Sequence, residues 1–180
     1  MLHSNTERLI DYWRERKSER LSPLRADINP GDFTELLPQV FILGRAAPGE
    51  HQFRLAGGYV SALHGKDLRR VEFLSLWNEA HRPSLAAALE AARRTAEPLI
   101  VIAEARFARG LTARLELLLA PLRADAWPLD RLIGLYQPLT PMDALRGETA
   151  IELGLIRIGS SIEDERPALR LAAVDGRRLA

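Results

Sequence analysis

Hydrophobic positions change period several times along the chain, and each change marks an element. The clearest run is Leu111 to Leu122. Leu111, Ala113, Leu115, Leu117 and Leu119 share one side, Thr112, Arg114 and Glu116 share the other, and that second side turns apolar at Leu118. A period of two is the signature of a strand. Pro98 to Phe107 alternates Val101, Ala103, Ala105 and Phe107 against Glu104 and Arg106, and Arg131 to Leu139 reads as a further strand. Earlier, Gln39 to Leu43 and Gln52 to Leu55 flank an Ala-Pro-Gly turn and predict a hairpin.

The helical period appears elsewhere. Asn78 to Glu97 carries Leu85, Leu89, Ala92 and Ala96 on one stripe, with Pro83 suited to the first turn. Residues 4–20 predict an amphipathic helix, with Ser4 and Glu7 spaced as a capping box and Leu9, Ile10 and Trp13 gathered on one side. A stripe that narrow needs a surface to lie on, either the chain's own sheet or a second subunit. Asp32 is placed to cap a short helix through Leu37. Tyr59 to Leu63 reads as a short helix stopped by Gly65, followed by an apolar helix start between Asp67 and Trp77.

This order predicts an α+β fold: five antiparallel strands with helices grouped on one face. Residues 1–30 form an N-terminal helix and connector, 31–141 the central domain, and 142–180 a C-terminal extension, partly flexible, in which Ile151 to Ile158 is one more short strand.

Composition narrows the function. Apolar residues make up 47% and charged residues 27% of 180 residues, as in soluble globular proteins. A formal net charge of +1 argues against a dedicated nucleic-acid binder. Lys17 and Lys66 are the only lysines, a bias that a GC-rich genome explains. The absence of cysteine excludes disulfides, thiolate metal sites, cysteine nucleophiles and cysteinyl-flavin chemistry, and fits a cytoplasmic location. There is no signal peptide pattern and no apolar run long enough for a membrane helix.

The hairpin followed by Gly57 to Gly65, a crossing helix and three longer strands resembles the PAS fold. Five further motifs narrow the likeness. They are Asp11-Tyr12-Trp13, the run from Asp32 to Leu43, and Phe53-Arg54-Leu55-Ala56-Gly57 followed by Leu63-His64-Gly65-Lys66-Asp67-Leu68 and Phe73-Leu74-Ser75-Leu76-Trp77. Over roughly residues 7–140 the chain is similar to a mainly alphaproteobacterial family of stand-alone PAS proteins. The resemblance implies a non-enzymatic cytoplasmic signalling module acting through contacts with other signalling proteins, with no catalytic residue to carry over. His64 departs from it, standing where an aromatic or apolar residue is expected.

A pocket in such a fold lies between the sheet and segment 57–97. Its expected lining is Phe41, Phe53, Leu55, Tyr59, Leu63, Leu74, Trp77, Leu89, Val101, Leu117 and Tyr136. The plainer account is that these residues fill the core, so no cofactor is expected. Haem would need an axial imidazole, for which His81 and His64 are the candidates. His3, His51, His64 and His81 share no metal-ligand spacing, and Glu163-Asp164-Glu165 reads as a solvated acidic run. No phosphate loop, dinucleotide fingerprint or nucleophile elbow is present. Arg69-Arg70 and Arg93-Arg94 read as solvated basic spots. The candidate interface is Leu9, Ile10 and Trp13, with a homodimer as the expected assembly. A small-molecule sensor is the alternative function, and an enzyme with a cryptic site is a third.

Overall fold

The alternation in Thr112–Leu122 makes it a strand with two usable faces, and the tertiary structure buries both. A computed structural model describes residues 1–123, 130–141, 145 and 147–160. Its main elements are α1 (Ser4–Lys17), β1 (Val40–Ala47), β2 (Glu50–Ala56), α2 (Gly58–His64), α3 (Arg82–Thr95), β3 (Leu99–Phe107), β4 (Thr112–Leu122), β5 (Arg131–Pro138) and β6 (Ala150–Ser160). Short 3-10 turns cover Arg25–Asp27, Pro30–Gln39, Phe73–Leu76, Glu79–His81 and Ala108–Gly110.

The strands form one antiparallel sheet in the order β2-β1-β5-β4-β3-β6. The expected five strands are all present, and the hairpin strands run longer than predicted, to Ala47 and from Glu50. The sixth strand, β6, comes from within the stretch read as an extension, and pairs along β3 from Leu99↔Ser160 to Phe107↔Ala150. Ile151 and Ile156 are extra residues at two irregularities of that ladder and stand 71% and 47% exposed. Bulges of this kind roughen an edge strand against chance pairing.

The inner face of the sheet carries the larger core. Phe41, Leu43, Phe53, Val101, Leu115, Leu117, Leu119 and Tyr136 meet α2, the 73–76 turn and α3. The stripe Leu85, Leu89 and Ala92 of α3, with Ala96 just past its end, is buried, as its spacing predicts. The helix itself is shorter than Asn78 to Glu97, because Asn78 caps a 3-10 turn and Ala96 takes a left-handed φ of 56 that ends it. Between Asp67 and Glu72 the chain is not helical. It runs along β2, with Phe53 N–H donating to Val71 O at 3.0 Å and Arg70 N–H to Phe53 O at 2.8 Å. Gly65 ends α2 with φ 63, a conformation that costs glycine least.

The outer face is covered by α1 and the connector. Leu9, Ile10 and Trp13 are buried against Leu118, Ala120, Leu122, Ile133 and Leu135. The apolar turn of β4's second face at Leu118 is therefore the footprint of this helix. Trp13 Nε1 donates to Pro121 O at 2.8 Å, His3 N–H donates to Glu116 Oε1 at 3.0 Å, and Asn5 Nδ2 donates to Gln137 Oε1 at 2.9 Å. The predicted Ser4–Glu7 box is replaced by His3, whose Nδ1 accepts from Asn5 N–H at 3.1 Å, since the helix starts one residue earlier than that box requires. Asn29, not Asp32, caps the Pro30–Gln39 turn by accepting from Gly31 N–H.

Candidate functional site

The inner face gathers aromatic rings around Phe41. Its centroid lies 5.6 Å from Phe53, 6.1 Å from Phe73 and 5.2 Å from Tyr136, and Phe73 continues to Trp77 at 5.8 Å. Tyr136 comes from β5, opposite Leu117 of β4. The His64 ring, at the end of α2, stands edge-on to Tyr136 at 5.9 Å. Tyr59 enters from the first turn of α2, close enough for its phenol to act on that of Tyr136.

Of the expected lining residues, Phe41, Phe53, Leu63, Trp77, Leu89, Val101, Leu117 and Tyr136 belong to this inner core, and Tyr59 and Leu74 pack against it partly buried. Leu55 does not join them. It is 48% exposed and sits on the opposite face, beside Ile42 and Ile133. The cause is an irregularity in the hairpin: Ile42 pairs Leu55 but Leu43 pairs Phe53, so Arg54 is an extra residue. A two-residue period counted from Phe53 misplaces Leu55 across such a bulge.

Tyr59 Oη, His64 Nε2, Trp77 Nε1 and Tyr136 Oη lie buried in this core with no hydrogen-bond partner among the described residues. Each such group costs about 1–3 kcal/mol unless a water or ligand completes it. Burial also fixes their charge state. It drops His64 to about 4, with Lys66 adding to the effect, and lifts Tyr59 to about 12. Burial and then the Tyr59 phenol push Tyr136 still higher. Near neutral pH the trio is two phenols and an uncharged imidazole. They donate and accept hydrogen bonds but are poorly matched to general acid–base work, which needs pKa values near the working pH. His64 thus occupies its unexpected position as a neutral aromatic ring.

A second buried polar group was not visible in the sequence reading. His51 of β2 is 1% exposed. Its Nε2 lies 4.0 Å from Glu90 Oε1, and Glu90 also binds Arg93 at 2.8 Å. Desolvation lowers the His51 pKa, with Arg93 and Arg45 adding to the fall and Glu90 opposing it. The available signal was positional: His51 precedes inward Phe53 by two residues. Arg93 is likewise 8% exposed and ion-paired, a correction to its reading as a solvated basic spot. Arg69 is exposed and clasped by Asp67 at 2.6 Å.

His81 joins α3 to the sheet, with its Nδ1 accepting from Leu155 N–H at 3.0 Å. That bond engages one imidazole nitrogen of the first haem candidate. Among the described residues no group of three or more His, Asp or Glu is arranged to hold a metal, and no helix is long and apolar enough to cross a membrane. Glu163-Asp164-Glu165 lies outside the described residues.

The family model of the PAS domain matches residues 1–137. No curated protein matches the chain. Solved structures with a similar course include an RNA-binding light-oxygen-voltage receptor, at 19% identity and a TM-score of 0.49, covering 62% of this chain and 33% of that one. The chain therefore spans about a third of that receptor's length. The light-oxygen-voltage protein of Rhodobacter sphaeroides matches at 14% identity and a TM-score of 0.48, covering 65% and 72% of the two chains. A light-oxygen-voltage domain studied with a flavin analogue matches at 16% identity and a TM-score of 0.47, covering 64% and 87%.

Proposed function

The chain belongs to the PAS domain family, and on that premise we propose that it is a non-catalytic cytoplasmic sensor whose inner core holds a small uncharged ligand. Occupancy is relayed to another signalling protein by contact. The observation that carries this reading is the set of buried, unpartnered polar atoms of Tyr59, His64 and Tyr136 on a wall of aromatic rings. Small-molecule sites have this composition: a mostly apolar lining with a few convergent polar groups. A charged ligand is disfavoured, because the three groups are neutral near neutral pH and bring no counter-charge. A ligand biases signalling only by its difference in affinity for two packings of the helices on the sheet.

Native mass spectrometry of freshly purified protein, with organic extraction of the same sample, tests this reading. The expected result is a bound neutral compound on the wild type, lost from the Tyr59→Phe/Tyr136→Phe variant while that variant still melts cooperatively. The bare mass for the wild type, together with a thermal-shift screen of neutral aromatic compounds in which nothing separates the two proteins, would overturn it.

A second reading, regulation by protein contact without a ligand, is favoured by an apolar groove of about 350 Å³ on the outer face of the sheet. Exposed Leu55 lies on its floor.

A further inference from the structure

We propose that the outer-face groove beside β2 docks an acidic amphipathic segment of another protein. The inference deepens the contact reading and stands apart from any ligand in the inner core. The groove is bounded by the connector and by strands β2, β1 and β5, and its floor includes Phe33, Ile42, Leu55 and Ile133. Leu55, 48% exposed, is the large side chain that the fold leaves uncovered there.

Charge selects the occupant. Arg25 lines one end of the groove. Exposed Arg54 adjoins Leu55, and its chain lies across Gly44, with Cγ 2.9 Å from where a Cβ on that glycine would stand. Arg131 pairs with the same glycine. It shares a face with Ile133 two residues on, so it is set on the outer side of the sheet. Three carboxylates between α1 and β1 are already engaged: Asp27 by Arg20 at 2.6 Å, and, from α1, Asp32 by Arg16 at 2.9 Å and Glu35 by Arg8 at 3.2 Å. Neither Arg25 nor Arg54 has a carboxylate within salt-bridge distance among the described residues, and Arg131 reaches Asp130 only at 4.0 Å. The result is an apolar floor with cationic ends, a complement to apolar anchors at helical spacing flanked by Asp or Glu.

The test is selection from a random library of displayed 16-residue peptides against the full chain. The expected peptides carry apolar residues at helical spacing with acidic flanks. They should bind Leu55→Asp and Arg54→Glu variants about tenfold or more weakly, and lose affinity as salt is raised. Both variants alter exposed side chains, and melting curves matching the wild type show that they fold. The Tyr59→Phe/Tyr136→Phe variant should keep full peptide affinity, which separates failure of this proposal from failure of the ligand reading. No enrichment, enriched peptides without acidic residues, or equal binding by Leu55→Asp would overturn it. So would displacement of the peptides by dodecanoate at equal concentration. Sedimentation showing a wild-type dimer that Leu55→Asp dissolves would assign the groove to a second copy instead.

Discussion

Replacing His64 with phenylalanine should remove much of the protein's sensitivity to mild acid. In the fold His64 is 8% exposed, edge-on to Tyr136, and its pKa is pulled from 6.5 to about 4 by burial and by Lys66. In the unfolded chain the same imidazole titrates near its ordinary value. Below that value the unfolded state takes up a proton that the folded state refuses, so stability is complete above the unfolded pKa and falls as pH drops toward the folded one. The whole gap corresponds to about 3 kcal/mol at about 1.36 kcal/mol per unit. Between pH 7 and pH 5 it amounts to about 2 kcal/mol. His51 pulls in the same direction, its pKa also being lowered by burial, but it is common to both proteins and cancels in the comparison. The assay is urea unfolding of wild type and His64→Phe at pH 7 and pH 5. At pH 7 the two should differ by no more than about 1–3 kcal/mol, since the phenyl ring is somewhat larger than the imidazole it replaces. At pH 5 the variant should be more stable by about 2 kcal/mol relative to that difference. Equal losses in the two proteins would refute the argument, showing that the folded state lets water or a carboxylate reach the protonated ring.

Two further substitutions probe the packing. Gly134→Ala should cost about 1–3 kcal/mol by overpacking, because a Cβ there would overlap the Phe41 ring on the neighbouring strand; an unchanged melting temperature would show that the ring has room to move. Trp13→Ala should cost about 3–5 kcal/mol in urea unfolding, since the indole is 2% exposed and hydrogen-bonded to Pro121 O. A loss below about 1 kcal/mol would mean that α1 contributes little to the fold.

The packing of α1 shows how a helix finds its place. Its stripe of Leu9, Ile10 and Trp13 is too narrow to stabilise a helix alone, and the sequence left open whether a sheet or a second subunit would cover it. The complementary signal lay more than a hundred residues away. The polar face of β4 gives way at Leu118, and the residues beyond it are those that α1 covers. Glu116, just before the change, is 2% exposed and accepts from the amide of His3 at the helix start, where a negative charge is favoured.

The sequence by itself determined the order of the strands β1 to β5 and of the helices α1, α2 and α3, because the periods of 2 and 3.6 are local properties of backbone geometry. It also determined that Val101, Ala103 and Ala105 would share one face, as would Leu115, Leu117 and Leu119, since alternation fixes a face wherever the strand is regular. Tertiary structure decided what long-range contacts decide. It seated β6 beside β3, brought Tyr59, His64 and Tyr136 together, and buried His51 against Glu90 and Arg93. It also turned Leu55 outward, because the register of β1 against β2 inserts Arg54 as an extra residue, and no period within one strand records the register of its partner.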